Sequence, residues 1–142
     1  MKVLVTGGAG YLGSILCERL LKSGYQVVVL DNLTNQNGTL FHLCADPNFE
    51  FVSGDVRDEG VVSRLIKDAD VIIPLAAMVG APACSRDPWL ARSVNVDAIR
   101  MVNQLRSSDQ LLVYPTTNSG YGTQTGDVMC TEDTPLEPIS LY

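Results

Sequence analysis

Two hydrophobic periodicities alternate along the chain. Short apolar runs typical of buried strands are followed by stretches in which apolar residues recur every three or four positions, which is typical of amphipathic helices. We therefore predict strands at residues 2–6, 26–30, 49–53, 71–74 and 111–114, and helices at residues 11–22, 39–45, 58–67 and 86–107. Residues 116–138 are rich in Thr, Asn, Gly and Pro and are predicted to be mostly loop.

Strands that alternate with helices predict an α/β fold with a parallel sheet. Right-handed crossovers between successive strands give a doubly wound, Rossmann-type sheet whose order in the part present is 3-2-1-4-5. In such a sheet, ligands bind beyond the carboxyl ends of the strands, at the point where the strand order reverses. The first strand borders that crevice, so the residues that follow it are the first candidates for a binding site.

Composition and charge narrow the classes of partner. Of the 142 residues, 46% are hydrophobic and 18% are charged, which is typical of one folded domain, and the formal net charge is −6. Nucleic acid is not expected as a partner, because binding it requires clustered Lys and Arg. The apolar runs are too short to span a membrane and the N-terminus does not resemble a signal peptide, so a cytoplasmic location is expected. The scattered cysteines and the single histidine predict no metal site.

A glycine-rich turn, TGGAGYLG at residues 6–13, joins the first strand to the first helix. Gly7, Gly10 and Gly13 satisfy G-x-x-G-x-x-G, and Gly8 with the last two satisfies G-x-G-x-x-G. Such glycines let the backbone approach a pyrophosphate, while the helix N-terminus supplies amides and a favourable dipole. Asp31 follows Gly13 by 18 residues, about where a carboxylate binds the adenosine ribose. Its charge would repel the additional phosphate of NADP, so NAD is the expected cofactor.

The residues around this turn also resemble a known family. VLVTGGAGYLGS at residues 3–14, followed by LDNL at residues 30–33, resembles the opening of the NAD-dependent nucleotide-sugar epimerases and dehydratases of the extended short-chain dehydrogenase/reductase family. The resemblance implies that the following residues bind or order the cofactor: Gly7, Gly10, Tyr11, Leu12, Gly13, Asp31, Asn32, Asp55, Val56, Leu75, Ala76, Ala77 and Asn95. It implies that Asp55 contacts the adenine and that Asn95 helps to order the active site. Without it, Asp55 would be interpreted as a turn or cap residue and Asn95 as a solvated helix position.

The segment after the fifth predicted strand resembles the catalytic segment of the same family. TTNSGYG at residues 116–122 puts Thr117 at the position of the catalytic serine or threonine, and Tyr142 follows it by 25 residues, near the family's spacing to the catalytic tyrosine. The resemblance implies that the Thr117 hydroxyl binds the sugar and that Tyr142 accepts a proton as hydride passes to the nicotinamide. The lysine expected four residues later is not within residues 1–142. We therefore expect an incomplete NAD-binding domain that ends at the catalytic tyrosine, lacks the C-terminal substrate domain and has negligible turnover alone.

Three functions stay open. The first is an epimerase or oxidoreductase that takes hydride transiently from a nucleotide-sugar carbon, with C4 preferred. The second is a nucleotide-sugar 4,6-dehydratase, which is disfavoured because Asn118 and Ser119 stand where that class usually carries Asp and Glu. The third is a non-catalytic NAD-binding regulatory protein. The oligomeric state is also open: the resemblance implies a possible homodimer through the helix at residues 86–107, while the apolar stripe of that helix equally suits packing on its own sheet.

Overall fold

The computed structural model describes residues 1–34, 38–123, 129–140 and 142. Within these residues five parallel strands form one sheet in the order β3-β2-β1-β4-β5, as the sequence predicted. The strands are β1 (Lys2–Thr6), β2 (Gln26–Asp31), β3 (Phe49–Ser53), β4 (Val71–Pro74) and β5 (Leu111–Leu112). Because all strands run the same way, the segments that follow them meet at one edge of the sheet.

The last strand, β5, is shorter than the predicted strand at residues 111–114. Val113 still donates its N–H to the carbonyl of Ile72 at 2.9 Å. Pro74, at the end of β4, has no N–H with which to continue the ladder. The pairing therefore stops after Leu112.

Both faces of the sheet are buried at its three central strands, β1, β2 and β4, which explains why these strands are continuous apolar runs rather than alternating ones. One face packs against helix α1 (Tyr11–Lys22) and the other against α2 (Glu59–Lys67) and α5 (Ala98–Leu105). The first face buries Val3, Val5, Val27, Val29 and Ile73, and the second buries Leu4, Val28, Leu30 and Ile72. Successive residues of β1 and β2 thus enter opposite cores, and the centre of the sheet is held from both sides.

The helix predicted at residues 39–45 is wrong in type and length. The structure has a single 3₁₀ turn at Phe41–Leu43. Leu40 and Leu43 are both buried against the sheet, and a separation of three residues matches the period of a 3₁₀ helix. One such turn therefore buries both side chains without a full α-helix.

The helix predicted at residues 86–107 differs from the structure in three respects. A helix that was not predicted, α3 (Ala81–Arg86), precedes it, and Asp87 separates α3 from α4 (Pro88–Arg92). Asp87 is non-helical because it precedes a proline, and its carboxylate accepts a hydrogen bond from the N–H of Leu90 at 2.9 Å. A π-helical segment, Ser93–Asp97, then joins α4 to α5.

The loop predicted at residues 116–138 contains a 3₁₀ turn, Asn118–Tyr121, and its residues 124–128 lie outside the described residues. The four cysteines are free, and burial raises the pKa of the Cys17 thiol to about 12, so this side chain packs as a small apolar group. In the described part of the chain, no helix is long and apolar enough to cross a membrane. Within the same residues, no group of three His, Cys, Asp or Glu side chains has an arrangement that could hold a metal ion.

Candidate functional site

The glycine turn after β1 is built at positions where a side chain has no room. Gly7 has a φ of +71°, and a Cβ there would lie 2.5 Å from the backbone nitrogen of Ala76. A Cβ on Gly13 would lie 2.6 Å from the carbonyl oxygen of Gly7. Glycine at these two positions therefore lets the turn pack against the segment after β4 and lets the first turn of α1 pack directly against the glycine turn.

The N-terminus of α1 faces the carboxyl edge of the sheet with little protein around it. Gly10 is the N-cap residue and supplies no side-chain cap, and the first turn contains no acidic residue. The first backbone N–H groups of a helix have no acceptor within the helix. The Tyr11 side chain is 88% exposed and that of Leu12 is also exposed. This arrangement favours an anionic group that accepts hydrogen bonds from the backbone.

Asp31 ends β2 beside the glycine turn, as the sequence predicted. Its Oδ2 accepts the N–H of Ala9 at 3.0 Å and its Oδ1 accepts the N–H of Leu33 at 2.8 Å. The next residue, Asn32, accepts hydrogen bonds from the N–H of Thr34 at 3.1 Å and from its hydroxyl at 2.6 Å. The carboxylate is thus fixed at the strand end, with the glycine turn on one side and a tight turn on the other.

Asp55 lies after β3 and is paired with a neighbouring cation. Arg57 donates from Nε to Oδ1 at 2.9 Å and from its terminal nitrogen to Oδ2 at 2.6 Å. These side-chain hydrogen bonds hold the pKa of the Asp55 carboxyl below its usual value, although burial acts in the opposite direction. The guanidinium also lies over the ring of Trp89, 5.9 Å from its centroid. Asp55, Arg57 and Trp89 border an open cavity of about 500 Å³, and Val56 is buried.

The segment after β4 is tied to β1. The buried residue Thr6 accepts the N–H of Leu75 on its carbonyl at 2.9 Å and that of Ala76 on its hydroxyl at 3.4 Å. These bonds hold the start of residues 75–77, the predicted nicotinamide-ribose segment, beside the glycine turn.

Asn95 lies in the π-helical segment and holds the backbone of Met78, the residue that follows residues 75–77. Its Oδ1 accepts the N–H of Met78 at 2.8 Å, and its Nδ2 donates to the carbonyl of Met78 at 2.9 Å. The amide is therefore engaged with backbone on both sides and is not a solvated helix position. π-Helical turns are frequent at functional sites.

Thr117 lies after β5 as the N-cap of the 3₁₀ turn Asn118–Tyr121. Its hydroxyl oxygen accepts the N–H of Ser119 at 3.3 Å and lies 2.9 Å from the hydroxyl oxygen of Ser119. Tyr142 is half-buried, and its backbone carbonyl accepts the Ser140 hydroxyl at 3.3 Å. In the described part of the chain no hydrogen bond joins Thr117 to Tyr142, so their joint action stays a prediction.

Sequence reasoning missed three contacts at this edge. Thr39 donates its hydroxyl to the carbonyl of Ala9 across 30 positions, and no local pattern indicates such a contact. Arg57, by contrast, has a local signal, because an Asp two positions before an Arg in a turn favours side-chain pairing. Its contact with Trp89 depends on the packing of α4 and has no such signal.

Comparisons with known proteins agree with the fold and identify the family. The model of the NAD dependent epimerase/dehydratase family matches residues 3–142. A UDP-glucose 4-epimerase from Lactobacillus helveticus is 35% identical over 146 residues, which cover 100% of this chain and 43% of that protein. The crystal structure of a UDP-glucuronic acid 4-epimerase from Bacillus cereus, in complex with UDP-glucuronic acid and NAD, matches with a TM-score of 0.88 and 32% identity, over 100% of this chain and 48% of the other.

A double mutant of the dTDP-glucose 4,6-dehydratase DesIV from Streptomyces venezuelae, with NAD bound, matches with a TM-score of 0.90 and 34% identity, over 100% of this chain and 47% of the other. The chain therefore spans less than half the length of these three proteins. The predicted fold class, the resemblance and NAD as the cofactor are confirmed. The site also suits NAD physically, because the glycine turn leaves room for a pyrophosphate at α1 and Asp31 lies where a ribose would follow.

Proposed function

Because the chain belongs to the NAD dependent epimerase/dehydratase family, we propose that it is the cofactor-binding part of a nucleotide-sugar epimerase that oxidises its sugar at C4 and returns the hydride to the same carbon. The observation that carries the proposal is the group of side chains after β5, where Thr117 and Ser119 present paired hydroxyls and Asn118 lies between them. In this proposal residues 1–142 form an incomplete NAD-binding domain, and the substrate domain and the motif's lysine follow Tyr142 in the full-length protein.

The cofactor would be held mainly by backbone groups and by carboxylates at the strand ends. We assign the pyrophosphate to the turn at Gly7, Gly10 and Gly13 and to the amides of Tyr11 and Leu12. The adenosine ribose is assigned to Asp31 and Asn32, the adenine to Asp55 and Val56, and the nicotinamide ribose to Leu75, Ala76 and Ala77, with Asn95 ordering that segment. When bound, NAD supplies an acceptor and a donor of hydride. The support for these assignments is that every residue lies at or near the carboxyl edge of one parallel sheet.

Thr117 would orient the sugar hydroxyl that loses its proton. Its oxygen already accepts the N–H of Ser119, so its own proton is available for a hydrogen bond to the substrate or to Ser119. Tyr142 is assigned as the base that takes the proton from the sugar hydroxyl while hydride leaves the carbon. A phenol with a pKa of about 10 requires a nearby cation for this task, which is the role assigned to the lysine.

The same side chains favour epimerisation over dehydration. Removal of water requires an acid and a base close to the leaving group. Neither the Asn118 amide nor the Ser119 hydroxyl can serve as a carboxylate acid or base. Oxidation at C4 followed by return of the hydride to C4 requires only the hydroxyl, the tyrosine and the cofactor.

The test uses the full-length protein and sugar nucleotides deuterated at C4: UDP-glucose, UDP-glucuronic acid, dTDP-glucose and CDP-glucose. Product analysis by NMR should show the C4 epimer with the deuterium still on C4. A 4-keto-6-deoxy product with the deuterium on C6 would overturn the proposal in favour of a 4,6-dehydratase. NAD-loaded protein that converts none of the four would favour a non-catalytic NAD-binding protein.

A further inference from the structure

A side-chain hydroxyl from the connection between β2 and β3 holds the glycine turn in place by a hydrogen bond to its backbone, here called the brace. Thr39 Oγ1 donates to the carbonyl of Ala9 at 2.8 Å. The N–H of Ala9 donates to Asp31 Oδ2 at 3.0 Å. Ala9 is 5% exposed, so its polar backbone groups need partners within the protein. The two partners are side chains that lie at the end of β2 and beyond it.

Packing holds the Thr39 hydroxyl in place. The next residue, Leu40, is buried together with Leu43 in the same core cluster that contains Ala9. The carbonyl of Leu40 accepts the N–H of Leu43 at 2.9 Å, which closes the 3₁₀ turn. Thr39 is itself half-buried. The brace thus begins from an ordered segment, and little additional conformational entropy is lost in forming it.

The brace fixes one peptide plane at the centre of the turn. The carbonyl of Ala9 and the N–H of Gly10 belong to the same planar peptide unit. That N–H donates to the carbonyl of Gly7 at 3.1 Å, so both ends of the unit are held. Gly10 is the N-cap of α1, and glycines have wide backbone freedom unless something restrains them. The direction of the first N–H groups of α1 therefore depends on this plane.

We propose that Thr39 is a positioning residue for the pyrophosphate of the dinucleotide. Its hydroxyl does not touch the ligand. It holds the Ala9–Gly10 peptide so that the N–H groups of Tyr11 and Leu12 point to where the phosphates bind. The inference rests on the proposed role of the glycine turn in cofactor binding.

The test is Thr39→Val in the full-length protein freed of NAD, because valine keeps the shape of threonine and removes the hydroxyl. Isothermal titration should show NAD and ADP binding about tenfold more weakly, the effect of losing one hydrogen bond that orders the site. Adenosine lacks phosphates, and its affinity, measured by ligand-observed NMR, should stay within about twofold. Thr39→Ser keeps the hydroxyl and should restore ADP binding to within about threefold of wild type.

The matched control is Ser23→Ala. Ser23 also donates its hydroxyl to a backbone carbonyl, that of Arg19 at 2.9 Å, at the opposite end of α1. This control should bind ADP as the wild type does. Unchanged ADP binding in Thr39→Val, an equal loss of ADP and adenosine binding, or no rescue by serine would overturn the inference. If Thr39→Val does not fold, Thr39→Ala provides the same comparison. A wild-type protein that binds neither NAD nor ADP would instead overturn the cofactor role itself.

Discussion

The region from β1 to β2 and the segment after β5 contribute to the proposed site in different ways. Around β1 and β2 the proposed binding surface is mostly backbone, completed by the Asp31 carboxylate, and glycine occurs where a Cβ would collide with neighbouring atoms. After β5 the proposed chemistry lies in side chains, above all the Thr117 hydroxyl, while apolar residues such as Leu136, at 69% exposed, lie open to solvent. In the first region the sequence contributes glycines, whose missing side chains permit the geometry, and in the second it contributes functional groups. Substitutions in the first should therefore reduce stability, and those in the second should reduce turnover.

The largest effect is expected in the second region, for Tyr142→Phe in the full-length protein. Removing the phenolic hydroxyl should lower kcat about 10³-fold, because the proton of the sugar hydroxyl then has no base. Affinity for NAD and the free energy of unfolding should not change. Tyr114→Phe is the matched control, since Tyr114 also lies in the segment after β5 and is partly exposed. This variant should keep the turnover of the wild type. A loss of less than tenfold in Tyr142→Phe would contradict the assigned role.

The next effect belongs to the first region. Gly7→Ala places a methyl group 2.5 Å from backbone at a φ of +71° and should lower the free energy of unfolding by about 3 kcal/mol. Gly24→Ala separates the two causes, because Gly24 has a φ of +83° and nothing within 4 Å of an added Cβ. It should lose only about 1 kcal/mol, the conformational part. Urea denaturation measures both, and equal losses would show that the contact with Ala76 is unimportant.

The smallest effect concerns Asp55. As in the first region, it lies after a strand at the carboxyl edge of the sheet, and as in the second, it contributes a side-chain group, which Arg57 holds in place. Its pKa is lowered in the folded protein, so its stabilising contribution is complete above the unfolded pKa of about 3.9 and is lost as pH falls through the folded pKa. Arg57→Gln should therefore reduce the free energy of unfolding by at most about 1 kcal/mol at pH 6. The difference from wild type should shrink as pH falls toward 3.

The loss of the Arg57 contact with Trp89 does not titrate in this range, so only the pH-dependent part of the difference reports on the ion pair. Urea denaturation at several pH values gives both curves. Curves that stay parallel from pH 6 to pH 3 would contradict the pairing of Asp55 with Arg57.

The parts of the fold that could be predicted depend on local patterns. The strand order could be predicted from apolar runs separated by segments with helical periodicity. The glycine turn could be predicted from the spacing of its glycines, which is needed where backbone segments approach closely. The break at Asp87 also had a local signal, since a residue before proline avoids helical geometry. The predicted helix nevertheless begins at residue 86, because the apolar repeat that starts at Leu90 dominates the pattern.

The π-helical segment has a weaker signal in the sequence. Leu90, Val94, Ala98 and Val102 recur every four residues, which exceeds the 3.6 residues of an α-helical turn. A wider turn at Ser93–Asp97 absorbs the excess. By contrast, the contacts of Thr39 with Ala9 and of Asn95 with Met78 join distant segments, and each exists only because the sheet brings two loops together. No local sequence pattern encodes such pairs.

The position of β1 at the centre of the sheet has a consequence for synthesis on the ribosome. β1 is translated before both of its neighbours, β2 and β4, and β4 follows much later, since the backbone N–H of Lys2 donates to the Asp70 carboxylate 68 positions away. At about 5 to 20 residues per second, that edge of β1 waits roughly 3 to 14 s for its partner. During this time an apolar strand presents an unpaired edge, which is a template for pairing with other nascent chains. The central position that lets both edges of β1 pair in the finished protein thus also leaves one of those edges unpaired for the longest time during synthesis.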